Sequence, residues 1–478
     1  MAIEIDDRIF REYDIRGRAG VDLTPQVAEA LARAYVSYLK EKTGKESLTV
    51  SVGRDVRLSS DELRDALMKG LAESGCNVID IGVCPTPLQY FSLHTLSVDG
   101  GIMITGSHNP PEYNGFKVSV GKETIYGMEI QRLKTVMRGA LPGESKKRGN
   151  IEELDIISRY IDYHIRRFSE TLPPAGLKKP IKVVVDAGNG TGGLVAPFLL
   201  RRLGCDVVEL FCEPDGRFPN HHPDPTVMEN MKALVSEVAR QGADFGVGYD
   251  GDADRIGVVD EKGSVIWGDQ LMVIYARDIL KKNPGATIIG EVKCSQTLYD
   301  EIERLGGKAV MWKTGHSLIK SRMKELKALL AGEMSGHIFF SDRYFGFDDA
   351  IYSTCRLVEI LAEKRREEKG LPFSTLISGL PKTFSTPEIR IDCPDSEKFE
   401  VIERLKAAVK KGSGRFKIKN IIDIDGLRVV FDNGWALVRA SNTQPVLVLR
   451  YEAESEELLE GLKEFAAKKL KEAWPGFN

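Results

Sequence analysis

Hydrophobic and polar positions along the first third of the chain alternate between helical and strand spacing. Thr24-Pro25 has the form of an N-cap and first helical position, apolar residues then recur at helical spacing, and Gly44 ends the segment. Further segments follow at short intervals: a strand over 48–52, a helix over 60–72, a strand over 77–81 and a buried strand over 101–105. Strands and helices that alternate in this way predict parallel sheets with helices on both faces.

The same pattern restarts twice, and the last part of the chain differs. Strands are predicted at 181–186, 206–211 and 245–250, and again at 286–290 and 308–312. The final region has short strands around 426–432, 435–439 and 445–451, followed by an amphipathic helix that Ser455 opens. Polar segments at 143–149 and 380–387 break the periodicity and are candidate linkers. We therefore expect three similar α/β blocks followed by an α+β region.

Composition narrows the class of protein. The 478 residues suggest about three domains at roughly 150 residues each. With 42% hydrophobic and 29% charged residues, the chain is an ordinary globular one rather than a disordered one. Lys and Arg total 67 against 70 Asp and Glu, so the chain has no surplus of basic residues. Such a surplus would have indicated nucleic acid or an anionic membrane as a partner.

The first residues and the cysteines predict the cellular compartment of the protein. The acidic start MAIEIDDRIF is not a secretory signal, and no apolar stretch approaches the ~18 residues of a membrane span, so we expect a cytoplasmic protein that has no membrane partner. Seven scattered cysteines form no C-x-x-C pair, which disfavours a disulfide framework or a zinc knuckle. They are interpreted as reduced and mostly buried thiols.

The acidic string Asp250-Gly251-Asp252-Ala253-Asp254 ends an apolar strand. Three carboxylates at alternate positions can turn several oxygens toward a hard cation such as Mg²⁺ or Ca²⁺, and a strand end is where ligands of α/β proteins bind. A solvated acidic turn is the alternative. An EF-hand loop is excluded because Arg255 replaces its glycine and a strand, rather than a helix, precedes it.

Two further strings contain hydroxyl and imidazole groups. Ser107 and His108, in TGSHNP after a buried strand, form either a nucleophile site or a turn held by side-chain hydrogen bonds. The string lacks the G-x-S-x-G pattern, so acyl transfer is poorly supported. In GEMSGH, Glu333, Ser335 and His337 have the groups that sugar recognition needs, although the residues alone favour a polar turn.

The string RASNTQP at 439–445 combines a guanidinium, two hydroxyls and an amide, so it suits a phosphate cradle or an ordinary hairpin connection equally well. Residues 188–193 fit the dinucleotide pattern G-x-G-x-x-G, with Glu209 at the spacing of a ribose ligand. Asp186 would lie against the pyrophosphate, however, and a tight turn is favoured. His221-His222 is assigned to a structural loop, because adjacent side chains diverge and no third ligand has suitable spacing.

Taken in this order, the strings resemble the α-D-phosphohexomutase superfamily, in its phosphomannomutase/phosphoglucomutase branch. The resemblance runs through FREYDIRG (10–17), GRDVRLSS (53–60), the Ser107 loop, DAGNGTGG, PDGRFPNHHPDP, the Asp250 loop, KTGHS (313–317), GEMSGH and RASNTQP. It implies four domains around a central cleft, three with a common mixed α/β core and a last one of TATA-box-binding-like α+β fold. The expected domains are 1–151 with a phosphoserine loop, 152–261 with a metal loop, 262–377 with a sugar-recognition loop and 378–478 with a phosphate-binding loop.

The resemblance also implies roles for individual residues. Ser107 would carry a phosphoryl group, and one Mg²⁺ would be held by Ser107, Asp250, Asp252 and Asp254. His108, Lys117 and Arg255 would surround the transferring group, and Lys117 and His337 are the candidate proton-transfer groups. Glu333 and Ser335, beside His337, would bind the 3- and 4-hydroxyls of the sugar. The non-reacting phosphate would be bound by Tyr13, Arg16, Lys293, His316, Arg439, Ser441, Asn442, Thr443 and Arg450.

The implied activity is a phosphohexomutase that interconverts the 1- and 6-phosphates of mannose, glucose or both through a 1,6-bisphosphate. Glucose 1,6-bisphosphate or mannose 1,6-bisphosphate would activate it, and its partners would be small hexose phosphates. Three alternatives are a Mg²⁺-dependent sugar-phosphate phosphohydrolase, a phosphoglucosamine mutase and a silent sugar-phosphate-binding module. One position departs from the family pattern: Gln444 stands where many relatives have Glu or Thr, beside the phosphate loop.

Overall fold

A computed structural model describes residues 5–139, 143, 145–172, 179–412, 416–442 and 444–477. In this part of the chain the strands form four sheets of seven, five, four and six strands, each built from one continuous stretch of sequence. We call each sheet and its helices a unit and number the units 1 to 4 along the chain. The four sheets agree with the expected succession of three α/β blocks and a different last one.

Unit 1 begins as the sequence predicts. Its elements are β1 (Ile15–Arg18), α1 (Pro25–Thr43), β2 (Thr49–Arg54), α2 (Ser60–Glu73), β3 (Asn77–Val83), α3 (Thr86–Thr95), β4 (Gly100–Ile104), β5 (Tyr113–Val120), β6 (Glu123–Thr124), α4 (Met128–Arg138), β7 (Ile151–Glu153) and α5 (Ile156–Phe168). The hydroxyl of Thr24 accepts a hydrogen bond from the backbone N–H of Val27, and Gly44 ends α1 in the left-handed region at φ 68°. Both helix signals are confirmed.

Units 2 and 3 repeat a simpler version of the same arrangement. Unit 2 contains β8 (Lys182–Asp186), α6 (Ala196–Arg202), β9 (Asp206–Leu210), α7 (Met228–Gln241), β10 (Phe245–Tyr249), β11 (Ile256–Asp260) and β12 (Val265–Ile266). Unit 3 contains α8 (Gly268–Lys282), β13 (Thr287–Glu291), α9 (Gln296–Arg304), β14 (Lys308–Trp312), α10 (His316–Leu326), β15 (Leu330–Gly332), β16 (Ile338–Phe340) and α11 (Ala350–Glu367).

The sheets of units 1 to 3 are mixed, whereas the periodicity predicted parallel ones. Their strand orders are β1-β5-β4-β2-β3-β7, β12-β11-β10-β8-β9 and β14-β13-β15-β16. The central strands are parallel, but β4–β5, β10–β11 and β15–β16 are antiparallel. These three pairs are joined by the short loops 105–112, 250–255 and 333–337. Such loops are too short for the crossover of a dozen or more residues that a parallel connection requires.

The three short loops leave the same edge of equivalent sheets. In each unit the loop follows a buried central strand, namely β4, β10 or β15. They are the loops that contain Ser107, the three aspartates and the GEMSGH string. The repeated topology therefore places three of the four candidate strings, those of the Ser107, Asp250 and GEMSGH loops, at equivalent positions in units 1 to 3.

Unit 4 is an antiparallel sheet with two helices. Its elements are β17 (Phe384–Ser385), β18 (Ile389–Asp392), α12 (Lys398–Lys410), β19 (Ile418–Ile422), β20 (Leu427–Phe431), β21 (Gly434–Ala440), β22 (Val446–Ala453) and α13 (Glu456–Ala473). The three predicted strands and the helix after Ser455 are present, while α12, β18 and β19 were not predicted. β17 pairs with β22 and lies inside the polar segment 380–387, so the sheet begins within this candidate linker.

Both faces of the unit 4 sheet are covered. Residues at alternate positions of β21, such as Ala436 and Val438, pack with α12 and α13. The intervening Trp435 and Leu437 form a separate apolar cluster with Val292 of unit 3. Because successive side chains of a strand point to opposite faces, one face binds the helices of unit 4 and the other binds unit 3.

Two sheets extend past the predicted domain limits. β7 spans the limit at residue 151 and pairs with β3, and β12 follows the limit at residue 261 and pairs with β11. All seven cysteines are buried and free, which confirms their interpretation as buried thiols. Within the described part of the chain, no helix has both the length and the apolar character required to cross a bilayer.

Candidate active site

The loops of units 1 and 2 meet at Ser107. Its Oγ donates a hydrogen bond to Asp250 Oδ2 at 2.7 Å and lies 3.2 Å from His108 Nδ1. The backbone of Ser107 has φ 48°, in the left-handed region that costs a residue with a β-carbon roughly 1 kcal/mol or more. Thr105 Oγ1 accepts from the Ser107 N–H and donates to Asp252, so the strained loop is bonded to the acidic loop at two points.

The three aspartates converge as the spacing predicts. One carboxylate oxygen from each of Asp250, Asp252 and Asp254 lies within 4.8 Å of the others, and all three residues are fully buried. Burial and the two neighbouring carboxylates raise the pKa of Asp250 well above its usual value. Asp252 Oδ1 and Asp254 Oδ1 are buried without a hydrogen-bond partner. Buried carboxylate oxygens that lack a partner are suitable ligands for a hard cation, so this donor set fits Mg²⁺.

Lys117 supplies a positive charge to this acidic loop. It lies on β5 opposite Met103, and its Nζ is 2.9 Å from Asp252 Oδ2 and 2.5 Å from Asp254 Oδ2. Burial disfavours the charged amine, but the two carboxylates outweigh burial and raise the pKa of Lys117 well above its usual value. Burial also acts to raise the pKa of Asp252, yet the attraction of Lys117 lowers it. Lys117 therefore neutralises part of the acidic loop from within the protein.

Unit 3 brings an imidazole to the same place. Arg255 Nε lies 2.9 Å from His337 Nε2, and because arginine can only donate, Nε2 accepts and the ring proton is on Nδ1. Nδ1 lies 3.0 Å from Asp348 Oδ2 and 3.5 Å from Asp254 Oδ1. His316 stacks on His337 with ring centroids 5.6 Å apart. The metal loop and the GEMSGH loop are thus joined through Arg255.

The carboxylate of Glu333 is held by hydrogen bonds from the protein. Glu333 Oε1 accepts from the Gly315 N–H at 2.9 Å, and Oε2 accepts from Ser335 Oγ at 2.8 Å. The neighbouring Glu291 accepts from the Met334 N–H and from Thr314 Oγ1. The loop is therefore a polar turn with fixed acceptors, and both interpretations of its sequence are compatible with the geometry.

The RASNTQP loop of unit 4 lies beside unit 1. Asn442 Nδ2 donates to the hydroxyl of Tyr13 at 2.9 Å, and that hydroxyl donates to the carbonyl of Thr314. Arg439 is buried and pairs with Asp425, with Nε to Oδ2 at 3.0 Å. Ser441 is buried in the same loop. Thr443 lies outside the described residues.

Two of the residues predicted to bind phosphate, Lys293 and Arg16, form ion pairs within the protein. Lys293 Nζ is 3.1 Å from Glu388 Oε2, and this lysine lowers the pKa of Glu388 to about 2. Arg16 pairs with Asp14 at 2.5 Å and donates to Asn109 Oδ1 at 2.9 Å, which connects it to the Ser107 loop rather than to unit 4.

Arg450 lies in a contact between units. It is buried on the face of β22 that packs against unit 3, where its guanidinium donates to the Lys293 carbonyl and lies 3.2 Å from Asp269 Oδ2. In this arrangement Arg450 joins units 3 and 4, and among the described candidates for phosphate binding it donates a hydrogen bond to the backbone of Lys293.

The glycine string and the histidine pair have structural roles. Residues 191–194 form a short 3-10 turn, and the hydroxyl of Thr191 donates to the carbonyl of Gly251 in the metal loop. His221 Nε2 lies 3.0 Å from Asp186 Oδ2, beside this turn. The favoured interpretations, a tight turn and a structural loop, agree with these contacts.

The sequence did not single out several residues at the site, among them Arg57, Asp348, Glu388 and Asp425. Each contacts a residue that is not its neighbour in the sequence, such as Arg439 for Asp425 and His337 for Asp348. Only Arg57 had a local signal, since it belongs to the GRDVRLSS string.

Comparisons with known proteins point in one direction along the whole chain. Four models described as phosphoglucomutase/phosphomannomutase alpha/beta/alpha domains I, II and III and C-terminal domain match residues 7–133, 158–263, 267–384 and 388–469. A phosphomannomutase/phosphoglucomutase of Pseudomonas aeruginosa is 47% identical over 464 residues, 97% of this chain and 95% of that protein. A phosphoglucomutase of Neisseria gonorrhoeae is 43% identical over 456 residues, 95% of each. A crystal structure of a phosphoglucomutase/phosphomannomutase family protein from Burkholderia thailandensis has a TM-score of 0.89, 41% identity and 99% coverage of both chains.

Proposed function

The chain belongs to the phosphoglucomutase/phosphomannomutase family and is a phosphohexomutase, an isomerase, and we propose that Ser107 is the residue that carries the phosphoryl group. The observation that supports this proposal most directly is the hydrogen bond from Ser107 Oγ to Asp250. This bond joins the hydroxyl of a residue with a strained backbone to a buried acidic loop that fits a divalent cation.

Ser107, Asp250, Asp252 and Asp254 are the residues that would hold Mg²⁺. The bound ion would withdraw charge from the transferring phosphoryl group. Phosphoryl transfer depends on positioning and electrostatics more than on covalent help. His108 and Arg255, which border the loop, are proposed to bind the phosphoryl oxygens by donating hydrogen bonds.

In the proposed reaction, the phosphate on Ser107 transfers to the free 1- or 6-hydroxyl of the sugar, and that hydroxyl loses its proton. Lys117 and His337 are the proposed proton-transfer groups, because both are buried and both lie beside the acidic loop. The resulting 1,6-bisphosphate turns round in the cleft. Its other phosphate then returns to Ser107, so that a new hexose phosphate leaves and the phosphoserine is restored.

Glu333 and Ser335 are proposed to bind the 3- and 4-hydroxyls of the hexose. Their oxygens are already fixed by hydrogen bonds within the loop, which lowers the ordering cost of binding. If only these two hydroxyls are recognised, the site does not discriminate between the two configurations at carbon 2 of the sugar. We propose that glucose and mannose phosphates are both substrates.

The opposite end of the cleft is proposed to hold the non-reacting phosphate. Arg439, Ser441, Asn442 and Thr443 would supply the donors, with Tyr13, Lys293 and His316 at its border. Arg16 is proposed to act from the Ser107 side, through its bond to Asn109. Arg450 is proposed to act indirectly, by fixing Lys293 through its carbonyl.

The proposal is tested on one purified preparation by intact mass and by activity. Incubation with glucose 1,6-bisphosphate should add one phosphoryl group to the wild-type chain and raise its mutase activity, whereas Ser107→Ala should gain no mass. Comparable kcat/KM for glucose 1-phosphate and mannose 1-phosphate would support dual specificity, and a strong preference for one would contradict it. Rapid release of inorganic phosphate without isomerisation would favour the phosphohydrolase alternative.

A further inference from the structure

Arg57 is a buried arginine at the base of the Ser107 loop. Its side chain is 0% exposed, and its guanidinium donates to three backbone carbonyls of that loop and to the carbonyl of Tyr113, the first residue of β5. The distances are 2.7 Å to Ser107, 2.6 Å to Asn109, 2.5 Å to Pro110 and 2.9 Å to Tyr113. Ser107, Asn109 and Pro110 lie between the two strands, outside the β-ladder, whereas Tyr113 is paired with Arg18 of β1. One planar side chain therefore donates to three carbonyls of the loop and to one carbonyl at its end.

Asp55 fixes the guanidinium from the other side. Its Oδ2 accepts from Arg57 Nε at 3.1 Å and from the Gly106 N–H at 3.0 Å. A β-carbon at Gly106 would lie 2.5 Å from Arg57 Cζ, so a residue with a side chain cannot replace glycine without moving the guanidinium. The loop and the arginine are packed in direct contact immediately before Ser107.

Unit 2 closes over the same side chain. The ring of Phe218 lies 5.1 Å from Arg57 Cζ, within the range of a cation–π contact. Phe218 has φ 50°, a strained conformation that its surroundings maintain. A β-carbon at Gly216 would lie 2.7 Å from Arg57 Cα, so the two units touch here at backbone distance. Arg57 is therefore held between the loop that contains Ser107 and the unit that contains the three aspartates.

We propose that Arg57 is a positioning residue for phosphoryl transfer, which holds Ser107 in its left-handed conformation and directs Oγ to the metal loop. The inference rests on the proposed role of Ser107 as phosphoryl carrier. Arginine suits this task because its five N–H groups form a rigid planar fork, whereas lysine offers three donors around one nitrogen. Arg57 acts through the backbone of the Ser107 loop and has no contact with the sugar-loop residues Glu333 and Ser335.

The test is Arg57→Lys in the full-length protein, with Arg356→Lys as a matched control. Arg356 is equally buried but bonds to Asp278 and Tyr352 in unit 3, away from the Ser107 loop. Arg57→Lys should slow phosphorylation of Ser107 by glucose 1,6-bisphosphate, followed by intact mass, by about 100-fold, since a misplacement of about 1 Å has that effect. The kcat should fall by a similar factor while KM for hexose phosphate changes less than about threefold. Arg356→Lys should leave both rates within about threefold of wild type.

A second variant covers the case in which Arg57→Lys gives too little folded protein. Phe218→Leu keeps Arg57 but removes the aromatic face over it, and it should slow the phosphorylation of Ser107 by about threefold to tenfold without changing KM. Wild-type phosphorylation rates in folded Arg57→Lys, or in Phe218→Leu if that is the only folded variant, would overturn the positioning role. A drop in melting temperature alone, with both rates retained, would also overturn it. If the wild-type chain itself gains no phosphoryl group, the carrier role of Ser107 fails first.

Discussion

The Asp250 loop and the RASNTQP loop, which we call the nucleophile end and the distal end of the proposed site, both contain charges that are neutralised within the protein, but with opposite signs. At the nucleophile end, the acidic residues Asp252 and Asp254 are paired with the ammonium of Lys117. At the distal end, the guanidinium of Arg439 is paired with the carboxylate of Asp425. A dication is expected at the first end and a phosphate dianion at the second. In each case the pairing residue has the same charge sign as the expected ligand.

This difference indicates how each ligand would bind. Buried charges are costly unless they are paired, so each end retains an internal counter-charge when the ligand is absent. Ligand binding would then be an exchange in which the ligand replaces a side chain that already pairs with the charged group. At the nucleophile end the exchange would break two ion pairs between units 1 and 2, whereas the Arg439–Asp425 ion pair lies within unit 4 and Asp425 keeps its hydrogen bond from the Thr314 N–H of unit 3. The nucleophile end should therefore respond to substitution more strongly than the distal end.

The largest effect is expected for Ser107→Ala, which removes the proposed phosphoryl carrier. The kcat should fall by about 10⁴-fold or more, as for removal of a nucleophile in other enzymes, while hexose phosphate binding stays within about threefold. Steady-state kinetics and calorimetric titration measure the two quantities. Ser92→Ala, which removes another buried hydroxyl hydrogen-bonded to Ser51, is the control and should retain activity. Turnover above a tenth of wild type in Ser107→Ala would contradict the assignment.

Asp252→Asn should weaken Mg²⁺ binding by about 100-fold, because it replaces an anionic oxygen ligand by a neutral one. Isothermal titration with Mg²⁺ alone measures this without reference to activity. Asp260→Asn is the matched control: Asp260 is also buried in unit 2, but its carboxylate accepts from the N–H groups of Lys262 and Ser264. Equal Mg²⁺ affinity in Asp252→Asn and wild type would show that the ion is bound elsewhere.

Lys117→Met should change Mg²⁺ affinity in the opposite direction. Loss of the ammonium leaves Asp252 and Asp254 without a counter-charge, so Mg²⁺ should bind about tenfold more tightly although catalysis is impaired. Titration with Mg²⁺ again gives the readout. Lys398→Met removes a buried lysine of unit 4 that pairs with Asp395, and it should leave Mg²⁺ affinity unchanged. Weaker binding in Lys117→Met would show that Lys117 organises the loop rather than competing with the ion.

The smallest effect is expected for Asp425→Asn at the distal end. Arg439 would then be released from its carboxylate, and KM for hexose phosphate should fall by about threefold to tenfold with little change in kcat. The ligand-free variant should also melt at a lower temperature, and phosphate should raise its melting temperature more than it does for wild type. Asp278→Asn, which disrupts another buried pair with Arg356, should lower stability without changing KM. An increased KM in Asp425→Asn would mean that the carboxylate positions Arg439 for phosphate.

Local signals account for what the sequence predicted well. The cap at Thr24, the stop at Gly44 and the strand before Asp250 depend on a few neighbouring residues, and all three were predicted. The strings that contain Ser107 and the aspartates also converge as expected. A resemblance over the whole length of the chain, rather than any single string, made the activity predictable.

Features that depend on distant contacts were not predictable. Strand direction is set by the length of the connecting loop, so periodicity alone gave parallel sheets where one edge is antiparallel. Asp425 becomes a counter-charge only when unit 4 folds and brings it beside Arg439, and Glu388 only when unit 4 packs against Lys293 of unit 3. Arg450 illustrates the same point, since its burial between two units follows from strand alternation and docking together.

The doubly covered sheet of unit 4 has a consequence for biosynthesis. Trp435 and Leu437 find their apolar partner, Val292, in a unit that precedes them by more than a hundred residues. The ribosome synthesises unit 3 before unit 4, so unit 3 can fold first. The strands of unit 4 then pack against a surface of unit 3 that has already formed. A circular permutant that began with unit 4 would reverse this order, and the same strands would meet the chaperones and proteases of the cell before they met their partner.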